Sequence, residues 1–155
     1  MDRPPVVRAL MEVSPALSRF IEVQLEALPQ PVSMVRYRIL RRLAQEQCRN
    51  SELAARVRVS SPTASAVIDS LAKAGWVERK ADPRDRRAVV LALTGEGRQE
   101  LRRTEDALEV ELTELLSKLD PDDARLLHDG LVALKDVIDQ SDVLRMNPAS
   151  GKSVV

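Results

Sequence analysis

Residues 51–94 read SELAARVRVSSPTASAVIDSLAKAGWVERKADPRDRRAVVLALT, and this stretch decides the predicted fold. Ser51 is placed to cap a short helix, and Ser61 followed by Pro62 is typical of the cap and first position of a second helix. Gly75 suits the left-handed residue that follows the end of a helix. Two helices joined by a short turn are the arrangement of a helix-turn-helix unit.

A hairpin with a basic tip follows the two predicted helices. Residues 76–79 and 88–93 alternate in the manner of strands and are joined by the polar segment ADPRDRR. Three arginines lie in this segment, namely Arg84, Arg86 and Arg87. Arginines held on such a loop suit the narrow minor groove of DNA, where the negative potential is highest. A solvated surface loop with a local ion pair between Asp85 and Arg87 is the alternative interpretation.

The hairpin also carries a family resemblance. The pattern Asp-x-Arg-x-x-x-Leu-x-Leu-Thr at residues 85–94 resembles the wing of MarR-type transcription regulators, and Leu-x-x-x-Gly at residues 71–75 precedes it at that family's spacing. The resemblance covers residues 33–97 well. It implies an α+β, mostly helical, winged helix-turn-helix fold and a regulator that binds double-stranded DNA. It further implies that the neighbouring aspartate, Asp85, holds Arg87 in position to reach the minor groove, and that Arg86 lies at the wing tip.

Helical patterns on both sides of this region predict the organisation of the whole chain. Leucines recur at helical spacing in a first helix, expected over residues 14–28 with an extension over residues 4–13 beyond a kink as the alternative, and in two long helices beginning near Thr94 and Pro121. Ser33 is placed to cap a second helix that runs to about Gln47. The leucine stripes are wider than one small domain needs, which favours a homodimer. The predicted division is an N-terminal dimerisation helix at 1–32, a winged helix-turn-helix DNA-binding region at 33–94, C-terminal dimerisation helices at 95–145 and a disordered tail at 146–155.

The predicted recognition helix is unusual in its chemistry. It carries no arginine in its first three turns, and Ala66 lies where many relatives have a basic residue. Hydroxyl groups would then read the major groove, with amides at the helix start binding phosphate. Capping by Ser61 and simple exposure of the other hydroxyls is the alternative. The predicted DNA-binding residues are Ser61, Pro62, Thr63, Ser65, Ala66, Arg84, Arg86 and Arg87.

Net charge is zero, yet the charge is unevenly distributed. Residues 36–87 hold thirteen Lys and Arg against six Asp and Glu, a balance of +7. The flanks hold the remaining 11 basic and 18 acidic residues of the 24 of each kind, a balance of −7. A basic middle can bind phosphates despite acidic flanks, because screening limits the reach of each charge to about 8 Å at physiological salt.

Other functional classes find little support. One histidine and one cysteine leave no cluster for metal binding or nucleophilic catalysis, so we expect neither an enzyme nor a cofactor or metal site. Gly95-Glu96-Gly97 partly matches a dinucleotide motif, but Glu100 occupies the place of its third glycine. The chain offers neither a long apolar span nor a secretory signal, so a cytoplasmic protein is expected.

A regulatory site follows only from the resemblance. It implies a ligand pocket near Met34, Tyr37, Arg38 and Arg41, and a repressor that releases DNA when an anionic aromatic ligand binds. A solvated basic helix face is the alternative meaning of these residues. Two rival functions stay open: a winged-helix protein interaction module, and a redox-sensing regulator acting through Cys48.

Overall fold

The computed structural model describes residues 5–83 and 85–140, apart from the side chain at position 86. The predicted tail at 146–155 and the last residues of the predicted C-terminal region lie outside the described residues. Six helices and one two-stranded antiparallel sheet make up the described part. In chain order they are α1 (Pro5–Glu26), α2 (Met34–Gln45), α3 (Asn50–Val57), α4 (Ser61–Lys73), β1 (Val77–Asp82), β2 (Asp85–Leu93), α5 (Gly95–Leu116) and α6 (Pro121–Gln140).

The expected α+β, mostly helical, winged-helix fold is confirmed, and several predicted helix boundaries hold. The Ser33 hydroxyl accepts a hydrogen bond from the amide of Arg36 at 3.3 Å and so caps α2. Thr94 caps α5 in the same way, and Asp120 accepts from two amides at the start of α6. Gly75 has a φ of +78°, the left-handed conformation expected of the residue after α4.

The first helix includes the N-terminal extension that the sequence left open as an alternative. It begins at Pro5 rather than near Ser14 and runs through Pro15. Pro15 supplies no amide hydrogen to the helix. The neighbouring Ser14 hydroxyl donates to the carbonyl of Leu10, one turn earlier, at 2.7 Å. The helix ends at Glu26, shortly before Pro29.

The start of α3 also corrects the prediction. Ser51 lies inside the helix, and Arg49 occupies the capping position. The side chain of Glu52 accepts the amide hydrogen of Arg49 at 3.2 Å, so an acidic side chain in the first turn satisfies an amide that the helix leaves unpaired. The helix ends at Val57, followed by Arg58 in the left-handed conformation with a φ of 56°.

One core holds α2, α3, α4 and the sheet together. Its largest fully covered side chains include Leu40, Leu53 and Leu71. A smaller cluster of Leu25, Val32 and Leu108 lies between α1 and α5. We call the region from α2 to β2, residues 34–93, the reading head. Among the described residues, no helix is both long and apolar enough to cross a membrane.

The reading head joins α5 through a close backbone contact. A side chain at Gly97 would place its Cβ 2.0 Å from the carbonyl oxygen of Trp76, so only glycine fits there. The Thr94 hydroxyl donates to the carbonyl of Gly75 at 2.6 Å and accepts from the amide of Gly97 at 3.0 Å. These contacts fix the direction in which α5 leaves the hairpin.

Candidate nucleic-acid interface

The start of α4 exposes three of the predicted reading residues. Ser60 is the cap, because its backbone is extended and its hydroxyl accepts from the amide of Thr63 at 3.2 Å. The prediction that Ser61 caps this helix is therefore wrong by one residue. Ser61, Pro62 and Thr63 form the exposed first turn. The Thr63 amide is bonded to the Ser60 hydroxyl and Pro62 has no amide hydrogen, so the Ser61 amide and the positive end of the helix dipole are the features that suit a phosphate.

The outward face of α4 differs from the predicted set of hydroxyls. Thr63 and Ala66 are exposed on this face, together with Asp69 and Lys73 one and two turns later. Ser65 is only partly exposed and is turned toward α3, where the side-chain amide of Asn50 donates to its hydroxyl at 3.0 Å. The structure thus brings the predicted residues of α4 together but orients Ser65 away from the centre of the exposed face.

An acidic residue on the recognition helix is offset by an arginine of the hairpin. Asp69 would repel phosphate on its own, but its Oδ1 lies 2.6 Å from Nη2 of Arg79 in β1. Arg36 of α2 donates to the hydroxyl of Ser70 on the same turn of α4. Neither contact can be recognised in the sequence, since the partners belong to different elements and no spacing rule connects them.

The hairpin is longer and its tip shorter than expected. Strand pairing continues to Asp82 and Asp85, with an irregularity between Ala81 and Asp82. The segment predicted as a polar loop is therefore mostly strand, because the two strands stay paired almost to the turn. Arg87 lies exposed in β2, and its backbone amide donates to Oδ1 of Asp85 at 3.1 Å. Arg84 and the side chain of Arg86 fall outside the described residues.

The acidic residues of the wing contact a different arginine from the one implied by resemblance. Nη2 of Arg49 lies 2.9 Å from Oδ2 of Asp82 and 3.6 Å from Oδ2 of Asp85. Nε of Arg49 also donates to Oδ2 of Asp82, at 3.2 Å. The hydrogen bond to Asp82 raises the pKa of the Arg49 guanidinium above its ordinary value. Oδ1 of Asp85 therefore accepts from the backbone amide of Arg87, while Oδ2 of the same carboxylate faces Arg49, the residue before α3.

Comparison with known proteins agrees with this geometry. A sequence model of the MarR family matches residues 32–89. The uncharacterized HTH-type transcriptional regulator ML2140 of Mycobacterium leprae is 32% identical over 112 residues, which are 72% of this chain and 78% of the relative. The chain belongs to the MarR family. It is a DNA-binding transcription regulator and not an enzyme.

Solved structures share the fold at low sequence identity. RV1404 from Mycobacterium tuberculosis aligns with a TM-score of 0.73 at 21% identity, covering 88% of this chain and 95% of the other. Wild-type MarR from E. coli, in its apo form, gives 0.71 at 23% identity, covering 86% and 98%. BldR from Sulfolobus solfataricus gives 0.67 at 24% identity, covering 87% and 93%. The MarR-family architecture thus extends beyond the reading head to the flanking helices.

In this MarR-family chain, Cys48 is part of the core. It is 2% exposed, and its backbone forms a bridge with Leu91, with the Leu91 amide donating to the Cys48 carbonyl at 2.9 Å. Burial raises the pKa of the Cys48 thiol, which disfavours the reactive thiolate. These properties are those of a structural cysteine, and they speak against a redox sensor at this position.

The four residues predicted near a MarR-type ligand pocket line one open cleft of about 420 Å³. Arg41 lies over the ring of Tyr37, with 5.7 Å from Cζ to the ring centroid, and its Nε is 3.3 Å from Oε1 of Glu105. Burial raises the pKa of the Tyr37 hydroxyl above its ordinary value. Two arginines that sequence analysis did not select, Arg42 and Arg56, also line the cleft.

Proposed function

We propose that this chain is a homodimeric, ligand-responsive repressor that binds roughly palindromic double-stranded DNA. The observation that carries the proposal is the arrangement of the reading head, in which the exposed first turn of α4 and the exposed Arg87 are carried by a helix and a hairpin that share one hydrophobic core. A helix for the major groove and a basic hairpin for the minor groove are the parts that duplex recognition requires.

The proposed contacts divide between the two grooves. Hydroxyls and amides at the start of α4 contact base edges and phosphates, and the wing arginines enter the minor groove. The proposed set remains Ser61, Pro62, Thr63, Ser65, Ala66, Arg84, Arg86 and Arg87. The hydroxyls of Thr63 and Ser65 both have a partner, since Ser65 accepts from Asn50 at 3.0 Å and the Thr63 hydroxyl lies 2.8 Å from that of Ser60. Because Thr63 is exposed and Ser65 only partly so, we expect the larger contribution to base reading from Thr63. Hydroxyls discriminate bases less sharply than a bidentate arginine, so base specificity should be modest.

The proposed dimerisation regions are residues 1–32 and 95–145, on either side of the DNA-binding region at 33–94. Support comes from the exposure of apolar side chains on these helices within the single chain, for example Met11 at 57% and Leu126 at 71%. The described part of α6 buries none of its residues. Such faces are typical of surfaces covered by a partner, and MarR-family regulators act as dimers.

Control by a small anionic aromatic ligand rests on the cleft. Its walls combine an aromatic ring with the guanidinium groups of Arg38 and Arg41, which suit an aromatic carboxylate. The cleft lies beside α2, so a bound ligand could alter the distance between the two recognition helices of a dimer. Such coupling typically amounts to about 1–3 kcal/mol, or 5- to 150-fold in affinity.

The test of DNA binding is selection of bound sites from a random duplex library by the purified wild-type protein. We expect two half-sites about one helical turn apart, as two equivalent reading heads require. Replacing Arg86 and Arg87 together with alanine should lower the affinity for the selected duplex. Each lost phosphate contact should also reduce the slope of log K against log salt by about 0.9. Failure to select any sequence, or unchanged binding by the double variant, would contradict the proposal.

Ligand control is tested separately with a panel of aromatic carboxylates that includes salicylate. An active compound should weaken binding to the selected duplex and raise the melting temperature of the free protein, because it favours the DNA-free form. Replacing Arg38 and Arg41 with glutamine should abolish both effects. A panel that changes neither property at millimolar concentration would show that the protein is controlled in some other way.

A further inference from the structure

The end of the wing brings two carboxylates together. Asp82 and Asp85 are directly paired across the last position of the hairpin ladder, and Asp82 is only 7% exposed. Like charges opposite one another in an antiparallel pair are destabilising, and a buried carboxylate needs a partner. The hairpin therefore depends on a nearby cation to keep this pairing.

Arg49 supplies that cation from outside the hairpin. It donates to Oδ2 of Asp82 through both Nε and Nη2, at 3.2 Å and 2.9 Å, and Nη2 is also 3.6 Å from Asp85. The next residue, Asn50, begins α3 and donates to Ser65 of α4 at 3.0 Å. Two consecutive residues thus connect the wing and the recognition helix to one point of the chain.

We propose that Arg49 is a positioning residue that fixes the wing relative to α4. Arg87 and α4 must meet neighbouring grooves of one duplex at the same time, so their separation has to match that of the grooves. A two-stranded hairpin is marginally stable by itself, and a wing free to move would lose conformational entropy on binding. The contacts of Arg49 with both carboxylates remove that freedom beforehand. This inference rests on the proposed role of the wing in DNA binding.

The most decisive test is a substitution for which simple electrostatics and positioning by Arg49 predict opposite changes in DNA affinity. Asp82→Asn removes a negative charge from a surface that binds phosphate, which by electrostatics alone should strengthen binding. If Arg49 acts by position, the same substitution weakens binding to the duplex selected by the wild-type protein, by about tenfold, as expected for one lost arginine contact. Stronger binding by this variant would overturn the inference.

A double-mutant cycle separates positioning from direct contact with DNA. Arg49→Ala should weaken binding about tenfold in the wild-type chain but less than about twofold in a chain that already carries Arg86→Ala and Arg87→Ala. Equal losses in both backgrounds would mean that Arg49 contacts DNA independently, and the inference would fail. Arg49→Lys keeps the charge but loses the paired geometry, so it should recover only part of the affinity.

Lys80→Ala is the matched control. It removes one positive charge from the same hairpin, where Lys80 pairs with Glu78 on its own strand at 2.8 Å, and it leaves the Arg49 contacts intact. Its effect should be equal in both backgrounds of the cycle. Every variant must retain the wild-type melting temperature to within a few degrees, and Arg49→Lys stands in for Arg49→Ala if the latter unfolds. Were the wild-type protein to select no duplex, the proposed function would fail before this inference is reached.

Discussion

Ala64, Ile68 and Leu71 on one face of α4 in the reading head are covered by their own chain, at 0%, 1% and 0% exposed, whereas Leu127, Leu131 and Ile138 on one face of α6 are 40%, 54% and 37% exposed. Both sets follow helical spacing and have similar composition. The difference shows that a regular apolar stripe predicts a buried face without saying which surface buries it. The reading head buries its own apolar faces, and we propose that a second molecule covers those of the terminal helices.

Introducing charged residues on the exposed apolar face of α6 should have the largest effect, which is on dimerisation. Replacing Leu127 and Leu131 with aspartate should raise the dimer dissociation constant at least 1,000-fold, about 4 kcal/mol, because unpaired charges would be buried at the interface. Helix content measured by circular dichroism should stay unchanged, since both side chains are exposed in the single chain. Sedimentation velocity measures the outcome, and a persistent dimer would contradict the proposed interface.

Removing a covered leucine tests the other half of the comparison. Leu53→Ala should lower the free energy of unfolding by about 2–5 kcal/mol, because it leaves a cavity in a core that cannot fully collapse. Leu126→Ala is the matched control at an exposed position. Any cost of Leu126→Ala in urea unfolding should vary with protein concentration, since it can act only through the dimer. A loss for Leu126→Ala that is independent of concentration would mean that α6 is buried within its own chain.

Ser60 and Ser61 at the start of α4 separate a residue that stabilises the helix from one proposed to contact DNA. Ser60→Ala should cost about 1 kcal/mol of stability through the lost cap, while Ser61→Ala should leave stability nearly unchanged. For DNA binding the order should reverse, because Ser61 is proposed to contact the duplex. Urea unfolding and titration with the selected duplex measure the two effects. Equal stability losses would mean that the helix start is shared between both serines.

Chemical modification of Cys48 should have the smallest effect on the protein. Burial raises the pKa of the Cys48 thiol, so the reactive thiolate forms at a higher pH in the folded protein than in the unfolded chain. At neutral pH a thiol reagent should label the folded protein much more slowly than the denatured protein, and peroxide should leave DNA binding unchanged. Rapid labelling of the native protein would restore the hypothesis of a redox sensor.

Local chemistry explains why much of this protein could be predicted from its sequence. Ser33, Thr94 and Gly75 act within one helical turn of their own positions, so their roles as caps and helix terminators follow from residue type and spacing. The wing motif and the exposed arginine at position 87 were equally visible. The two misplaced caps, at Ser51 and Ser61, differ from the observed ones by one or two residues, because adjacent polar residues compete for the same position.

Contacts between distant residues were decided by the tertiary structure alone. Arg49 and Asp82 are separated by 33 positions, and Arg36 and Ser70 by 34, so no periodicity could pair them. The orientation of Ser65 toward Asn50 likewise depends on how α3 packs against α4. The sequence by itself determined the helices, the hairpin and the family, since these arise from local preferences and short patterns. Only the packed chain determined which charges meet and which apolar faces stay uncovered, because those depend on distances in space.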